Sequence, residues 1–450
     1  RALMSEAVHD PQYVRSTYAV WEITLKCNLG CIHCGSRAGN ARSNELDTAE
    51  ALDLVGQLAE VGVREVSLIG GESFLRPDWL DIAREIRSHG MRLTMTTGGF
   101  GLGPKLAEKM ADVGFSRVSV SVDGLDAVHD HLRGKKDSWK WCFRALEALQ
   151  EVGIQVSTNT QLNRLNTPDL PFLYERLYDA GVRVWQLQKT VPMGNAADRP
   201  DIIFQPYDML ELFPVLHYLL QRGLDEGFRL LPSDSLGYFG PYERRLRMHR
   251  RAANPDTAFW VGDLGGVLTL GIESDGTVKA DPSLPTDDYG GGNIREQSLE
   301  EIIFEADRLA INEGDGLEHL WGFCKRCEFA EICRAGQVWT SHVFFDRRGN
   351  NPLCHHRSLI HAAQGLQEHL RLAERAEGVP FDNGVFEIFA EEAVDDLPGA
   401  FDIGDVRWPS AWLDADPDLS AKLEAERDRT IEVWRQTRLP EMQLAGPTIA

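Results

Sequence analysis

The stretch Cys27-Asn-Leu-Gly-Cys31-Ile-His-Cys34 places three cysteines in the spacing CxxxCxxC. It follows the apolar run Tyr18–Leu25, which predicts a β-strand. Three thiolates at this spacing can hold three irons of a four-iron cube and leave the fourth iron open. A structural zinc ion would need a fourth ligand nearby, but the next cysteine, Cys142, lies far along the chain in a helical pattern. The spacing therefore favours a four-iron cluster with one open position.

Composition and charge limit the classes of protein to consider. The chain has 450 residues, of which 43% are hydrophobic, so we expect a folded protein of two or three units. Its net charge of −22 argues against a nucleic-acid partner, because phosphates repel an acidic surface. We find no apolar stretch long enough to span a bilayer and expect no signal peptide or membrane partner. The eight cysteines are clustered, which fits metal ligation in a reducing cytoplasm better than a disulfide framework.

Strands and helices alternate from Tyr18 onward. Apolar, β-branched runs predict strands at residues 18–25, 65–69, 91–96, 117–122, 154–160 and 182–188. Helical spacing between them, with a capping box at Asp47 and stop glycines, completes six β/α units. Such strands suit a parallel sheet covered by helices, whereas eight units would close a full barrel. We therefore predict an α/β fold, a partial (β/α)6 TIM-like barrel with its chemistry at the carboxyl ends of the strands.

Two predicted strands end in residues suited to ligand binding. Gly70 and Gly71 follow the second strand, where glycines let the backbone approach a ligand, and Glu72 offers a carboxylate for a cation. Ser121 and Asp123 end the fourth strand, and alternation puts them on one face. Both groups are expected at the mouth of the barrel.

Further polar residues lie near the ends of later strands. Arg133, in the segment His-Leu-Arg-Gly, is placed to pair with a carboxylate. Thr158 and Thr160 in the fifth strand, and Gln186 and Gln188 in the sixth, alternate along their strands. We expect these alternating side chains to face the cavity, where they would contact ligands or hydrate the lumen.

Together these motifs resemble those of the radical S-adenosylmethionine (SAM) superfamily. In that family the open iron of a [4Fe-4S] cluster chelates the amino and carboxylate groups of SAM. Reductive cleavage then yields a 5'-deoxyadenosyl radical that abstracts a substrate hydrogen. The resemblance implies that Gly70-Gly71-Glu72 binds the SAM amino group, although Ser73 stands in place of the usual proline. It further implies SAM contacts at Ser121, Asp123 and Arg133. Gln188, from its position along the sixth strand, is a candidate contact to SAM or substrate.

A second group of cysteines lies in the second half of the chain, at Cys324, Cys327, Cys333 and Cys354. Four thiols can bind zinc or a second iron–sulfur cluster, and spacing alone does not decide between them. Their order after the barrel resembles the SPASM extension, which carries auxiliary four-iron clusters. The resemblance implies that these four cysteines hold one auxiliary [4Fe-4S] cluster.

The chain departs from the SPASM pattern at three positions. Asp263, Asp281 and Gln337 stand where that family has cysteines of its inner auxiliary cluster. The resemblance therefore implies that the inner cluster is lost. These three residues are candidate catalytic groups that contact substrate or act as a base; alternatively, they fill the vacated space with polar groups.

The predicted organisation has five parts. They are an N-terminal lead-in (1–17), the radical SAM partial barrel (18–225), a connector (226–260), a small α+β SPASM-like domain (261–365) and a C-terminal extension (366–450). We predict that the extension begins with a helix at Gln367–Ala376 and contains a charged helix at Ala421–Thr437. The basic run Arg244–Arg251 in the connector predicts a solvated helix face or a docking site for an acidic partner.

The resemblance implies a radical SAM oxidoreductase served by a flavodoxin- or ferredoxin-type electron donor. We expect it to crosslink or otherwise oxidise a ribosomally synthesised peptide, as in RiPP maturation. One alternative is a dehydrogenase or epimerase of a small metabolite, such as a sugar or modified amino acid. Cys142 is expected to be a buried apolar residue, whereas an epimerase would use it as a hydrogen donor. A third alternative is a non-catalytic iron–sulfur or zinc scaffold.

Overall fold

One large sheet with covering helices forms the centre of the molecule. The computed structural model describes residues 17–233, 235–236, 240–243, 246, 265–312 and 316–393, and the single positions 418, 421 and 425. The predictions for Asp263, the basic run Arg244–Arg251 and the helix Ala421–Thr437 concern residues outside the described part, apart from positions 246, 421 and 425. Within the described part, no helix combines the length and the apolar composition needed to cross a bilayer.

The first part of the chain alternates strands and helices. The strands are β1 (Tyr18–Glu22), β2 (Glu65–Ile69), β3 (Arg92–Thr97), β4 (Arg117–Ser121), β5 (Gln155–Leu162), β6 (Val184–Lys189) and β7 (Arg229–Pro232). The helices are α1 (Thr48–Glu60), α2 (Trp79–Ser88), α3 (Pro104–Val113), α4 (Asp126–Arg133), α5 (Ser138–Glu151), α6 (Leu170–Asp179) and α7 (Met209–Glu226). The six predicted β/α units are confirmed, and β7, within the stretch predicted as a connector, adds a seventh parallel strand beside β6.

The second part is made of shorter elements. Its strands are β8 (Thr269–Ile272), β9 (Thr277–Lys279), β10 (Gly290–Asn293), β11 (Leu366–Glu374) and β12 (Val385–Glu392). Its helices are α8 (Thr286–Tyr289), α9 (Leu299–Glu305), α10 (Gly322–Arg326), α11 (Ala330–Cys333), α12 (Val338–Phe345) and α13 (His355–Ala363).

The sheet joins the two parts of the chain. Its strand order is β10-β9-β8-β1-β2-β3-β4-β5-β6-β7. Strand β8 pairs with β1 in parallel, and β9 and β10 continue the sheet in antiparallel pairs. The parallel strands have their carboxyl ends at one edge, so the loops that follow β1 to β6 meet there.

Local sequence explains how the helices cover the sheet. Helix α1 begins with a capping box in which Asp47 and Glu50 each accept the other's backbone N–H. Its apolar residues Leu54, Val55 and Leu58 recur at helical spacing and are fully buried. The same pattern in the other barrel helices forms one continuous core around the sheet.

The predicted helix at Gln367–Ala376 is wrong. Residues Leu366–Glu374 form β11, which pairs antiparallel with β12. Leu370 lies opposite Ile388 and Leu372 opposite Phe386, so the apolar side chains of the two strands share one face. The β-forming residues of β12 and this cross-strand packing override the local helical tendency.

Candidate active site

The three cysteines of the CxxxCxxC motif lie in the segment between β1 and α1, which we call the cysteine loop (residues 26–39). Cys27, Cys31 and Cys34 all line a cavity of about 420 Å³ in the barrel. The loop is fixed by backbone hydrogen bonds from Cys27 N to Gly39 O (2.9 Å) and from Gly30 N to Arg133 O (3.0 Å). The sequence motif therefore forms a preorganised thiol site at the mouth of the barrel.

The surroundings of the three sulfurs suit thiolates bound to a cation. Leu29 N and Ala38 N each donate to a cysteine Sγ at 3.4 Å, and the Arg133 guanidinium lies 3.8 Å from Cys31 Sγ. Burial raises the pKa of Cys27 to about 11 and that of Cys31 to about 12. A bound metal cation at the site would therefore favour the thiolate forms.

The spread of the sulfurs also bears on which metal fits. Among the described residues, one triad of ligand atoms lies within 4.8 Å of one another, and it consists of Asp288, His342 and Asp346. The three motif sulfurs do not form such a group, so at least one pair of them is more than 4.8 Å apart. The sulfurs of a tetrahedral zinc site lie about 3.8 Å apart.

Gly70 and Gly71 line the cavity beside the cysteine loop. A Cβ at Gly70 would lie 2.3 Å from Thr24 O, and one at Gly71 would lie 2.4 Å from Lys26 O. Gly71 N donates to Thr24 O at 2.7 Å. The glycines are therefore required by close packing of two backbone segments, in addition to any approach to a ligand.

Glu72 lies beside the cavity and not on its lining. The residue is buried, and its carboxylate accepts hydrogen bonds from Thr97 Oγ1 (2.8 Å) and Gly98 N (3.0 Å). Burial raises the pKa of Glu72 to about 7, although these two bonds oppose the shift. Thr97 and Gly98 themselves line the cavity. A cation at this wall would stabilise the ionised carboxylate.

Ser121 and Asp123 occupy different environments. Ser121 lines the cavity, and its hydroxyl donates to Asn159 Oδ1 at 3.2 Å. Asp123 is fully buried, lies 2.6 Å from the Arg133 guanidinium and 3.0 Å from His33 Nε2, and does not line the cavity. Burial opposes its ionisation, but Arg133 and His33 hold the pKa of Asp123 well below its ordinary value. Asp123 thus orients Arg133, which does line the cavity.

The lumen is lined mainly by polar side chains. Gln186 and Gln188 face it, as their alternation predicts. The prediction for strand β5 is wrong by one residue: Thr158 and Thr160 are fully buried outside the cavity, and their neighbours line it. The cavity-facing residues of β5 are Ser157, Asn159 and Gln161. The register of β5 follows from Ser121 pairing with Asn159, which sequence alternation alone does not reveal.

Sequence reasoning also missed the depth of the cavity. Its lining continues to Tyr18, Glu65 and Arg117 at the start of three strands, so it extends along the inside of the sheet. Cys142 is fully buried and does not line the cavity. Its thiol donates toward Ser121 O (3.4 Å) and Gly98 O (3.5 Å), which places it in the wall behind the site.

The four later cysteines form a second thiol site (Cys324, Cys327, Cys333 and Cys354). All four line one small cavity together with Phe323, Phe329, Ala330, Ala335, Asn351 and His356. Backbone N–H groups of Asn351 and Phe329 each donate to a cysteine sulfur at 3.4 Å. Burial raises the pKa of Cys324 to about 11 and that of Cys327 to about 12. Among the described residues, no three of these sulfurs all lie within 4.8 Å of one another. Four thiols can bind a zinc ion or an iron–sulfur cluster.

Neighbouring residues of strand β6 contact the surroundings of the two thiol sites. Gln188 faces the barrel cavity, whereas the next residue, Lys189, is fully buried on the opposite side. The Lys189 ammonium donates to Leu353 O, adjacent to Cys354. Its positive charge opposes the effect of burial, which raises the pKa of Cys354.

Two of the candidate catalytic residues, Asp281 and Gln337, are described and do not belong to the cavity lining. Asp281 is half-buried, and its carboxylate accepts a hydrogen bond from Ser283 N at 2.9 Å. Gln337 immediately precedes α12 and is also half-buried. Neither lines the barrel cavity, so the structure does not bring them together with the three motif cysteines.

Fold and site together define a barrel protein with a cluster-binding thiol triad at its mouth. The family model described as "Radical SAM superfamily" matches residues 21–165. The mycofactocin maturase MftC of Mycolicibacterium smegmatis is 32% identical over 322 residues, which cover 70% of this chain and 76% of that protein. The AdoMet-dependent heme synthase of Methanosarcina barkeri is 27% identical, with 75% of this chain and 95% of that protein covered. This chain belongs to the radical SAM superfamily.

Solved structures agree on the fold. The structure described as "Native anSMEcpe with bound AdoMet" aligns with a TM-score of 0.60 at 16% identity, covering 75% of this chain and 93% of that one. Streptococcus suis SuiB bound to S-adenosylmethionine aligns with a TM-score of 0.57 at 15% identity, covering 72% and 74%. The predicted α/β barrel fold of a radical SAM enzyme is confirmed.

Proposed function

We propose that this radical SAM enzyme modifies a ribosomally made peptide by hydrogen abstraction followed by crosslinking or another oxidation. When bound, the [4Fe-4S] cluster and SAM supply the reducing electron and the 5'-deoxyadenosyl group for that abstraction. Cys27, Cys31 and Cys34 would hold the cluster. The remaining residues of the cavity bind and orient SAM and the substrate.

Two charged groups near the motif cysteines are suited to the charged end of SAM. The Arg133 guanidinium, held by Asp123, is available to a carboxylate. Glu72, whose pKa is near neutrality, gains ionisation from an ammonium group placed beside it. Ser121 offers a hydroxyl, and Gln188 a carboxamide, further along the lining.

The polar composition of the cavity lining is the observation that supports a peptide substrate. The carboxamides of Asn159, Gln161, Gln186 and Gln188 line it together with serine and threonine hydroxyls, and few apolar side chains lie among them. Carboxamides donate and accept hydrogen bonds, as peptide groups do. The 32% identity to a maturase agrees with this choice, and SuiB, which has the same fold, has been solved bound to a precursor peptide.

We also propose an auxiliary [4Fe-4S] cluster in the second thiol site. Four protein thiols leave no open position for substrate, so this cluster would serve as a second redox centre or as structure. A flavodoxin- or ferredoxin-type donor would supply electrons to the enzyme. The candidate roles of Asp281, Gln337 and Asp263 as a base or substrate contact remain proposals.

A tetrapyrrole substrate is the second candidate. It is favoured by the heme synthase relative, 95% of which aligns with this chain. Arg117 and Arg133, both on the cavity lining, could pair with propionate carboxylates. The polar lumen argues for the peptide, because a flat apolar macrocycle would leave the carboxamides without partners.

The test measures 5'-deoxyadenosine formed from SAM by the reconstituted, dithionite-reduced enzyme. Wild type should cleave SAM, whereas the triple variant Cys27→Ala, Cys31→Ala, Cys34→Ala should not. Cys142→Ala is the matched control, since it removes a thiol outside both sites and should retain cleavage. Cleavage by the triple variant would overturn the assignment of the site.

Substrate class is tested in the same assay. A synthetic peptide encoded by a short gene beside this one, and iron-coproporphyrin, are added separately to the reduced enzyme. Faster 5'-deoxyadenosine formation with the peptide, together with loss of two hydrogens from its mass, would support the peptide proposal. Turnover of the porphyrin alone would replace the peptide with the second candidate.

A further inference from the structure

The C-terminal hairpin of β11 and β12 reaches the cysteine loop. Its tip, residues 378–384, places the Asp382 carboxylate against the Arg37 guanidinium, with Nε–Oδ1 at 2.7 Å and Nη2–Oδ2 at 3.2 Å. Phe381 N donates to Gly35 O at 3.2 Å. Arg37 and Gly35 follow directly on Cys34, so the tip holds the segment that carries the third cysteine.

The same tip also contacts the turn after β6. Gly194 N donates to Asp382 O at 2.7 Å, and Asn195 N donates to Cys34 O at 2.9 Å. A Cβ at Gly194 would lie 2.3 Å from Cys34 O. The cysteine loop is therefore enclosed between the turn after β6 and the hairpin tip.

Backbone conformation shows that this junction is held under constraint. Arg37 has a φ of 48° and Phe381 a φ of 62°, a region that bulky residues rarely adopt. The Phe381 ring is buried, and its centroid lies 3.7 Å from Lys279 Nζ. Such conformations persist when the surroundings fix them. The Asp382–Arg37 ion pair, the contact of the Phe381 ring with Lys279 and the main-chain hydrogen bonds together hold Arg37 and Phe381 in these conformations.

The other end of the hairpin is anchored beside the second thiol site. Glu368 in β11 pairs with Arg357, with Nη2–Oε1 at 2.7 Å, and both side chains are buried. Arg357 Nη1 also donates to Asn350 Oδ1 (2.8 Å) and Asn351 O (3.2 Å). Asn351 N in turn donates to Cys324 Sγ. One hairpin thus contacts the neighbourhoods of both thiol sites.

We propose that the hairpin positions the catalytic cysteine loop and links it to the second thiol site. Asp382 is a positioning residue that acts through Arg37 on Cys34, and Glu368 anchors the hairpin base through Arg357. The proposal rests on the proposed function only for the role of the cysteine loop. The linkage itself is a property of the folded chain.

The first experiment measures amide hydrogen exchange of a peptide covering residues 35–40 in the full chain as purified. Asp382→Asn should accelerate exchange there about tenfold, because a charge-assisted bidentate pair is lost. Asp382→Glu should restore most of the protection. Asp198→Asn is the matched control: Asp198 pairs with the same Arg37 at 2.6 Å but is half-exposed and lies outside the hairpin. Equal effects of the two asparagine variants, or none, would overturn the proposal.

The second experiment tests the link between the sites. Glu368→Gln should also accelerate exchange at 35–40, but should add nothing in the Asp382→Asn background, since both act through the hairpin. Gln205→Ala loosens the base without leaving a buried charge, because Gln205 exchanges two hydrogen bonds with the Leu370 backbone. Additive effects of base and tip variants would refute the linkage. Exchange requires no SAM chemistry, so these outcomes are distinct from failure of SAM cleavage.

A functional readout completes the test. In reconstituted enzyme, Asp382→Asn should release iron from the first site to a chelator about tenfold faster, while Asp198→Asn releases it at the wild-type rate. The SAM concentration for half-maximal cleavage should rise in Asp382→Asn, with partial recovery in Asp382→Glu. Unchanged release and SAM dependence in Asp382→Asn would refute the positioning role.

Discussion

Replacing Glu72 by glutamine should change how the stability of the chain depends on pH. The pKa of Glu72 is about 7 in the folded chain, against an ordinary value of 4.5, because the carboxylate is buried. Between these values the folded state binds more protons than the unfolded state, so stability falls as pH rises. At about 1.4 kcal/mol per pKa unit, this carboxylate removes about 2.5 kcal/mol of stability between pH 5 and pH 8.

Glutamine keeps the shape of the side chain but never ionises. Its carbonyl can accept the Gly98 N–H, and its amide can donate to Thr97 Oγ1, so both hydrogen bonds at the site are kept. The decrease in unfolding free energy from pH 5 to pH 8 should therefore be about 2.5 kcal/mol smaller in Glu72→Gln than in wild type. Glu22, whose pKa burial raises to about 8, leaves a residual pH dependence in both proteins.

The assay is urea unfolding of the metal-free chain at pH 5 and pH 8. Glu50→Gln is the control, because hydrogen bonding to Arg295 lowers the pKa of this surface carboxylate to about 2. The stability that the ionised Glu50 carboxylate contributes is present at neutral pH and is lost as pH falls. Its removal should therefore leave the difference in unfolding free energy between pH 5 and pH 8 unchanged. An identical loss of stability in wild type and Glu72→Gln would refute the argument from burial.

Three further predictions concern the thiol sites and their surroundings. Wild type reconstituted without oxygen should hold about eight irons, and the triple alanine variant of Cys27, Cys31 and Cys34 about four. Iron and sulfide counting with Mössbauer spectra measures both. About four irons in wild type and none in the variant would mean that the second site holds no cluster. Cys354→Ala should lower the iron count while SAM still perturbs the spectrum of the first cluster, and an unchanged count would mean that this thiol is not a ligand. Gly194→Ala should destabilise the chain by at least about 1 kcal/mol, since φ is 58° and the new Cβ meets Cys34 O; an unchanged thermal midpoint would contradict this.

The barrel and its thiol sites could be predicted because their signals are local. Hydrophobic periodicity and capping residues define each β/α unit, and cysteine spacing within a few residues limits the ligand set. Parallel strands then bring the strand-end residues to one edge without further information. This rule predicts Ser121 and the glycines after β2 at the cavity, whereas Arg133, at the end of α4, was expected there from the resemblance to the radical SAM superfamily.

Non-local contacts account for what the sequence did not reveal. The one-residue error in β5 arises because its register depends on pairing with β4. Asp123 is enclosed by Arg133, ten residues further along the chain, and by His33 from the cysteine loop, which is distant in sequence. The hairpin forms because β12 supplies a partner for β11, and local periodicity carries no trace of that partner.

Neighbouring residues of strand β6 face two different environments. Gln188 belongs to the polar lumen, and Lys189 is enclosed beside the second thiol site. Inserting or deleting one residue in β6 would turn the Lys189 side chain toward the lumen and the Gln188 side chain toward the opposite packing layer. Lumen-facing side chains of β6 can therefore be exchanged without disturbing the second thiol site only if the length of the strand stays constant.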